Sequence, residues 1–322
     1  MDGLDVQALL PILVLAALPV VVMLGVAAVR SHRLTFWLTL GGMLAALGTT
    51  LVSRGLAPRQ VTALLVIDGY ALFFMGLVLA ASIIVALLSY RYWQACDCNP
   101  EEYYILLILA TLGAAVLVSS NHFASFFLGL EILSLSLYAM IAYTYDVRFR
   151  VEAGLKYLIL AAASAAILLF GMALLYAATG TLAFGELAEG VRDAAPGMVL
   201  LGAGMVVAGV GFKLALVPFH LWTPDVYQGA PLPVTAFIAT VSKGAMFALI
   251  LRLFTQFGIG AYPSIVNGFA ILAMLSMLLG NLLALLQDNL KRVLAYSSIA
   301  HMGYLFVPFV ALNATGQRAI AF

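Results

Sequence analysis

The chain has 322 residues, of which 65% are hydrophobic and only 9% charged, against about 25% charged in an ordinary soluble domain. That composition excludes a water-soluble enzyme, and a net charge of +1 without any basic tract leaves nothing to bind nucleic acid. Apolar stretches of about 20 residues, the length that crosses a bilayer as a helix, recur along the chain and predict an all-α polytopic membrane protein.

The N-terminus, MDGLDVQALL, carries Asp2 and Asp5 where a signal peptide needs positive charge, so the first apolar run is expected to be a retained span. Ten spans are predicted, over 7–29, 34–52, 69–90, 103–120, 122–145, 153–178, 197–222, 233–254, 264–286 and 292–312. The polar stretch RYWQACDCNPEE after the third span holds both cysteines, Cys96 and Cys98. Two thiols cannot supply the four ligands of an iron–sulfur cluster or a closed zinc site, so they read as loop thiols. The longest connection, TGTLAFGELAEGVRDAAP, reads as a surface segment with acidic residues. No G-x-G-x-x-G or P-loop pattern occurs, and nothing predicts a nucleotide site. Loops after odd-numbered spans hold Arg30, Arg33, Arg91, Arg148, Arg150, Lys291 and Arg292, whereas those after even-numbered spans hold Arg54, Arg59, Arg192 and Arg252. Seven cations against four predict an N-terminus on the outer side of the membrane.

Charged residues at mid-span cost about 2.5–3.5 kcal/mol each and persist where they face a partner or a water-filled cavity. Glu131, Lys213 and Lys243 stand there. Glu131 shares a helical face with Ser134 and Tyr138, which suits a proton or ion path but also a carboxylate that bonds a neighbouring helix. Lys213 precedes Pro218, which has no N–H and deprives the Leu214 carbonyl of its helical partner. A bare carbonyl cannot face lipid, so the broken segment is expected to be buried in protein or to line a hydrated cavity; a structural salt bridge is the alternative for the lysine. Lys243 has Thr240 on its predicted face. A buried lysine that gains and loses a carboxylate partner can take up and release a proton.

His301 shares a predicted face with Ser297, Ser298 and Tyr304, and His220 follows the break; each is either a relay group or a packing histidine. Lys156 lies four residues after Glu152, which predicts an interfacial pair at helical spacing. Asp68, Asp288, Lys291 and Arg292 fall at span edges, where headgroups and water are expected to solvate them. Asp225, in TPDVYQG, is expected to play a structural, capping part.

The runs EILSLSLYAMIAY, EAGLKYLILAAASAAILLFGMALLYAATGTL, FKLALVPFHLWTPDVYQGAPLPVTAFIATVSKGAMF and NLKRVLAYSSIAHMGYL resemble the subunit N family of bacterial NADH-quinone oxidoreductase, respiratory complex I. That family is the counterpart of mitochondrial NADH dehydrogenase subunit 2. The resemblance covers residues 100–322, and WTPDVYQGAPLPVTAF and KRVLAYSSIAHMGY favour subunit N over the paralogous subunits L and M. It implies an antiporter-like fold of two inverted five-helix repeats, each with a broken helix. Residues 1–102 would hold the first three spans, 103–255 the first repeat and 256–322 the start of the second. It further implies proton transfer by Glu131, Lys213 and Lys243, with Glu131 and Lys213 as an ion pair and His220 and His301 along a hydrated axis.

NAD, FMN, iron–sulfur clusters and quinone are then expected in partner subunits, with no cofactor in this chain. The partners implied are other membrane-arm subunits, antiporter-like paralogues among them, and the lipid bilayer. The family's second broken helix carries another lysine, and the chain ends before it, so the sequence is expected to be partial. Two other functions fit the residues: a subunit of a cation/proton antiporter, and a non-pumping scaffold whose buried charges only join helices.

Overall fold

The computed structural model describes residues 2–96, 98–144, 148–257 and 263–311. Among the described residues it is helical apart from one two-stranded hairpin, β1 (Arg59–Gln60) with β2 (Val66–Ile67), paired antiparallel, and two isolated β-bridges. The helices run α1 (Gly3–Ala8), α2 (Leu10–Ala28), α3 (His32–Ser53), α4 (Gly69–Gln94), α5 (Glu101–Ser119), α6 (Phe123–Ile141), α7 (Arg148–Thr179), α8 (Phe184–Asp193), α9 (Pro196–Leu214), α10 (Trp222–Gly229), α11 (Leu232–Phe237), α12 (Lys243–Phe257), α13 (Pro263–Ala284) and α14 (Leu290–Ala311). A π turn, Ile238–Ser242, joins α11 to α12 into one run. Among the described residues nine helical stretches are long and apolar enough to cross a bilayer, and α14 occupies the tenth predicted span. In lipid the backbone has no water to bond, so long apolar segments satisfy their N–H and C=O groups internally as helices.

The helices gather into two compact units. One comprises Met1–Leu155, Leu182–Phe184 and Ala230–Leu251; the other comprises Lys156–Thr181, Gly185–Gly229 and Arg252–Phe322.

In the first unit α5 and α6 pack backbone to backbone. A Cβ at Gly113 would lie 2.5 Å from the Leu133 nitrogen, so only glycine permits that approach. Hydroxyls inside α4 and α5 are satisfied locally: Ser89 donates to the Val85 carbonyl, Thr111 to Leu107 and Ser119 to Ala115. Asp68 is a helix cap rather than a solvated edge charge, its Oδ1 accepting the Ala71 N–H at 2.7 Å. His122 caps α6 in the same way through Nδ1. Arg252, assigned to a loop by the sequence and counted with the second unit, lies inside α12 and is buried, because the apolar stretch continues past it to Phe257.

In the second unit α7 and α9 cross at Gly171, where a Cβ would lie 2.8 Å from the Gly202 carbonyl oxygen. Helices α13 and α14 pair along their length in this unit. The connection expected to be an acidic surface segment is the short helix α8, with Phe184 and Leu187 buried and Glu186 and Glu189 exposed.

Candidate functional site

The break after Lys213 begins four residues before Pro218. Helix α9 ends at Leu214, and Ala215 adopts the left-handed conformation (φ 59°, ψ 38°), an uncommon state for a residue with a side chain. Residues 214–217 are buried, so each freed polar group needs a partner. The Gly211 carbonyl accepts from Leu216 N at 2.8 Å, and the Phe212 carbonyl from Ala215 N at 3.0 Å. Trp222 Nε1 also donates to the Phe212 carbonyl, at 2.9 Å. The Val217 N–H donates to Ser276 Oγ at 3.0 Å, while that hydroxyl donates to the Leu272 carbonyl. The Gly211 and Phe212 carbonyls and the Ala215, Leu216 and Val217 N–H groups are thus met by protein, as their burial requires.

Lys213 stands in the last turn of α9 and is 6% exposed. Its Nζ lies 5.6 Å from the centre of the Tyr157 ring, within cation–π range. Tyr157 contacts Trp222 at 4.8 Å between centroids, and Trp222 lies 5.5 Å from Phe212. Partial negative charge on the carbonyls at a helix C-terminus favours a cation there. His220, 7% exposed, follows the break, and its Nδ1 is buried without a hydrogen-bond partner among the described residues. The buried Thr223 Oγ1, in the next turn, also lacks one. Buried polar atoms of this kind are normally met by ordered water.

Asp225, in the first turn of α10, is bound from two sides. Lys156 Nζ donates to its Oδ2 at 3.2 Å, and Arg292 Nη1 donates to Oδ1 at 2.8 Å. Lys156 thus reaches a partner 69 positions away in the chain. Arg292 also donates from Nη1 to Gln228 Oε1 at 3.1 Å and from Nε to Gln287 Oε1 at 2.9 Å. Lys291 Nζ donates to the Gln228 carbonyl at 3.2 Å. Neither Lys291 nor Arg292 is left to water and headgroups, as their edge positions suggested, because α10 returns against the start of α14.

His301 does not share one face with all its expected neighbours. Ser298 is turned inward and shares a hydrogen bond with the Tyr227 hydroxyl at 3.2 Å, whereas His301 and Tyr304 are exposed in this chain. Packing of α14 on both α13 and α10 divides the predicted stripe.

In the first unit, Glu131 lies in the middle of α6 with Oε1 buried and without a hydrogen-bond partner among the described residues. Ser134 donates to the Leu130 carbonyl at 2.5 Å, and Tyr138 shares a hydrogen bond with Ser134 within the field of Glu131. The carboxylate, hydroxyl and phenol stripe is therefore present. Lys243, 3% exposed, is the first residue after the π turn. Thr240 does not share its face: it is exposed and donates to the Ala236 carbonyl. A π turn closes i→i+5 and widens the helix, so regular spacing misplaces residues across it. Glu131 and Lys243 belong to the first unit, and Lys213, His220, His301 and Lys156 to the second.

The profile of the NADH:quinone oxidoreductase/Mrp antiporter transmembrane family matches residues 120–322, more than half of the chain. The chain belongs to this family. It is 53% identical over 305 residues to NADH-quinone oxidoreductase subunit N of Methylococcus capsulatus, an alignment covering 94% of this chain and 62% of that protein. Among solved structures it is similar to a chain of respiratory complex I from Thermus thermophilus with bound aureothin, at 37% identity and a TM-score of 0.81, over 94% of this chain and 65% of that one. It also matches a chain of the Mrp complex from Dietzia at 19% identity and a TM-score of 0.85, covering 98% of this chain and 60% of that one, a likeness of fold alone. The chain spans less than two thirds of the length of these relatives. The fold is antiporter-like.

Proposed function

We propose that the chain serves as subunit N in the membrane arm of a proton-pumping NADH:quinone oxidoreductase, in the inner membrane of a bacterium. The observation that carries this reading is Lys213, a buried lysine in the last turn before a helix break, with the buried His220 Nδ1 and Thr223 Oγ1 after the break left without a hydrogen-bond partner among the described residues. Identity to the Methylococcus subunit supports it.

In this reading Glu131, Lys213 and Lys243 form the relay, with His220 as a proton-passing group; His301 and Lys156 have subordinate parts. Approach of the Glu131 carboxylate stabilises the lysine's charged form, and withdrawal frees its proton into the low-dielectric interior. The Tyr157 ring and the α9 carbonyls hold the ammonium in place between these states. Redox chemistry with NAD, FMN, iron–sulfur clusters and quinone belongs to partner subunits, and the coupling signal arrives through neighbouring membrane-arm subunits. With Arg252 inside α12, the cation count stands at seven against three and favours an outer N-terminus.

The test compares NADH-driven proton uptake in inverted vesicles that carry the full-length, assembled complex, wild type against Lys213→Ala. Reduction of an artificial acceptor and assembly persist while quinone-linked turnover and pumping fall. Unchanged pumping would make the lysine structural. Sodium-dependent transport that ignores quinone inhibitors would instead establish the cation/proton antiporter reading.

A further inference from the structure

The short helix α10 lies between two sets of contacts that share no residue. At its start, Trp222 donates to the Phe212 carbonyl and packs on Tyr157, the ring beneath Lys213. Further along, three of its residues grip α14: Asp225 binds Arg292, Tyr227 meets Ser298, and the Gln228 carbonyl accepts from Lys291. Arg292 is fixed by three acceptors, Asp225, Gln228 and Gln287. A planar guanidinium held at Nε and Nη1 by separate groups has little rotational freedom. The second oxygen of Asp225 holds Lys156, the residue before Tyr157 in α7. One carboxylate thus ties α10 both to the start of α14 and to the helix turn that carries the ring under Lys213.

We infer that Asp225 is a positioning residue for Lys213, and that the Lys156–Asp225–Arg292 bridge transmits movement at the start of α14 to the break in the helix of Lys213. The inference rests on the relay reading above. The bridge is half-exposed, and exposed ion pairs contribute little to stability because water and salt screen them. Its three members come from α7, α10 and α14, so what it fixes is the relative placement of those helices. A small displacement of a group that must meet a proton donor is costly in rate even where the fold is unaffected.

The test uses the full-length protein in the assembled complex, with Asp225→Asn, Asp225→Glu, Arg292→Gln and Lys213→Ala variants. Quinone-linked turnover, proton pumping, artificial-acceptor reduction and assembly are read for each. Asp225→Asn is expected to assemble normally and keep acceptor reduction while quinone-linked turnover and pumping fall about threefold, the scale of one exposed ion-pair interaction. Asp225→Glu restores most of the loss. Arg292→Gln adds little to the loss already caused by Asp225→Asn, because Asp225→Asn has already broken the link to Arg292. Wild-type pumping in Asp225→Asn, beside a clear loss in Lys213→Ala, overturns the positioning role and leaves the relay intact. Wild-type pumping in Lys213→Ala overturns the relay itself. Should Asp225→Asn fail to assemble, Arg292→Gln decides, since it leaves Asp225 its Lys156 partner: reduced pumping supports the bridge and full pumping refutes it.

Discussion

Two buried lysines sit at two different backbone irregularities, and the difference lies in how each helix is interrupted. Lys213 occupies the last turn of a helix that ends, so the partial negative charge of the terminal carbonyls lies nearby and an aromatic ring covers the ammonium. Lys243 occupies a run that continues, where a π turn changes the phase without creating a terminus. The first device supplies electrostatic support directly; the second only re-aims the side chain. Both lie within segments of Leu, Val, Ala and Phe that would otherwise make regular spans.

The largest expected effect comes from undoing the phase that the second device sets. Inserting one alanine between Ser242 and Lys243 rotates everything after it by about 100° relative to the upstream half. Pumping by the assembled complex should fall to the level of Lys243→Met, with helix content unchanged. Persistent pumping would reduce the π turn to a packing detail.

Next comes the closure of the break. Ser276→Ala leaves the buried Val217 N–H without its acceptor and should cost about 1–3 kcal/mol, read as a lowered unfolding midpoint and faster exchange of that amide. Ser276→Thr keeps the hydroxyl and should recover most of the loss. Trp222→Phe should cost less, about 0.5–1.5 kcal/mol, because the Phe212 carbonyl retains its bond from Ala215 N and the ring still packs on Tyr157. Equal losses from the two changes would show that the Trp222 bond matters more than this geometry implies.

The smallest effect lies outside the spans. The Arg59 hydrogen bond, with help from the Asp2 backbone N–H, holds the Asp5 carboxyl below the usual aspartate range. A depressed carboxylate contributes stability above its ordinary pKa and loses it as pH falls through the lower, folded value. Arg59→Gln should therefore make acid-induced fraying of α1 begin at a higher pH, as read by hydrogen exchange. An unchanged onset would leave the Asp2 amide as the effective partner.

Sequence alone determined the spans, because about 20 apolar residues in lipid have one backbone solution. It also marked Glu131, Lys213 and Lys243, since a charge among such residues stands out, and it marked a break near Pro218, since proline lacks an N–H. Tertiary structure decided where that break begins and which groups meet it, because Ser276 and Trp222 reach the buried backbone of the break from outside the broken turn. It decided that Thr240 turns away from Lys243, because a π turn leaves no periodic signature in five residues. It placed Asp225 between Lys156 and Arg292, 69 and 67 positions away in the chain, and it divided the face of Ser298 from that of His301. Periodicity reports which residues share a face of one helix. It carries no information on which helix that face will meet, and the partners of these charges were set there.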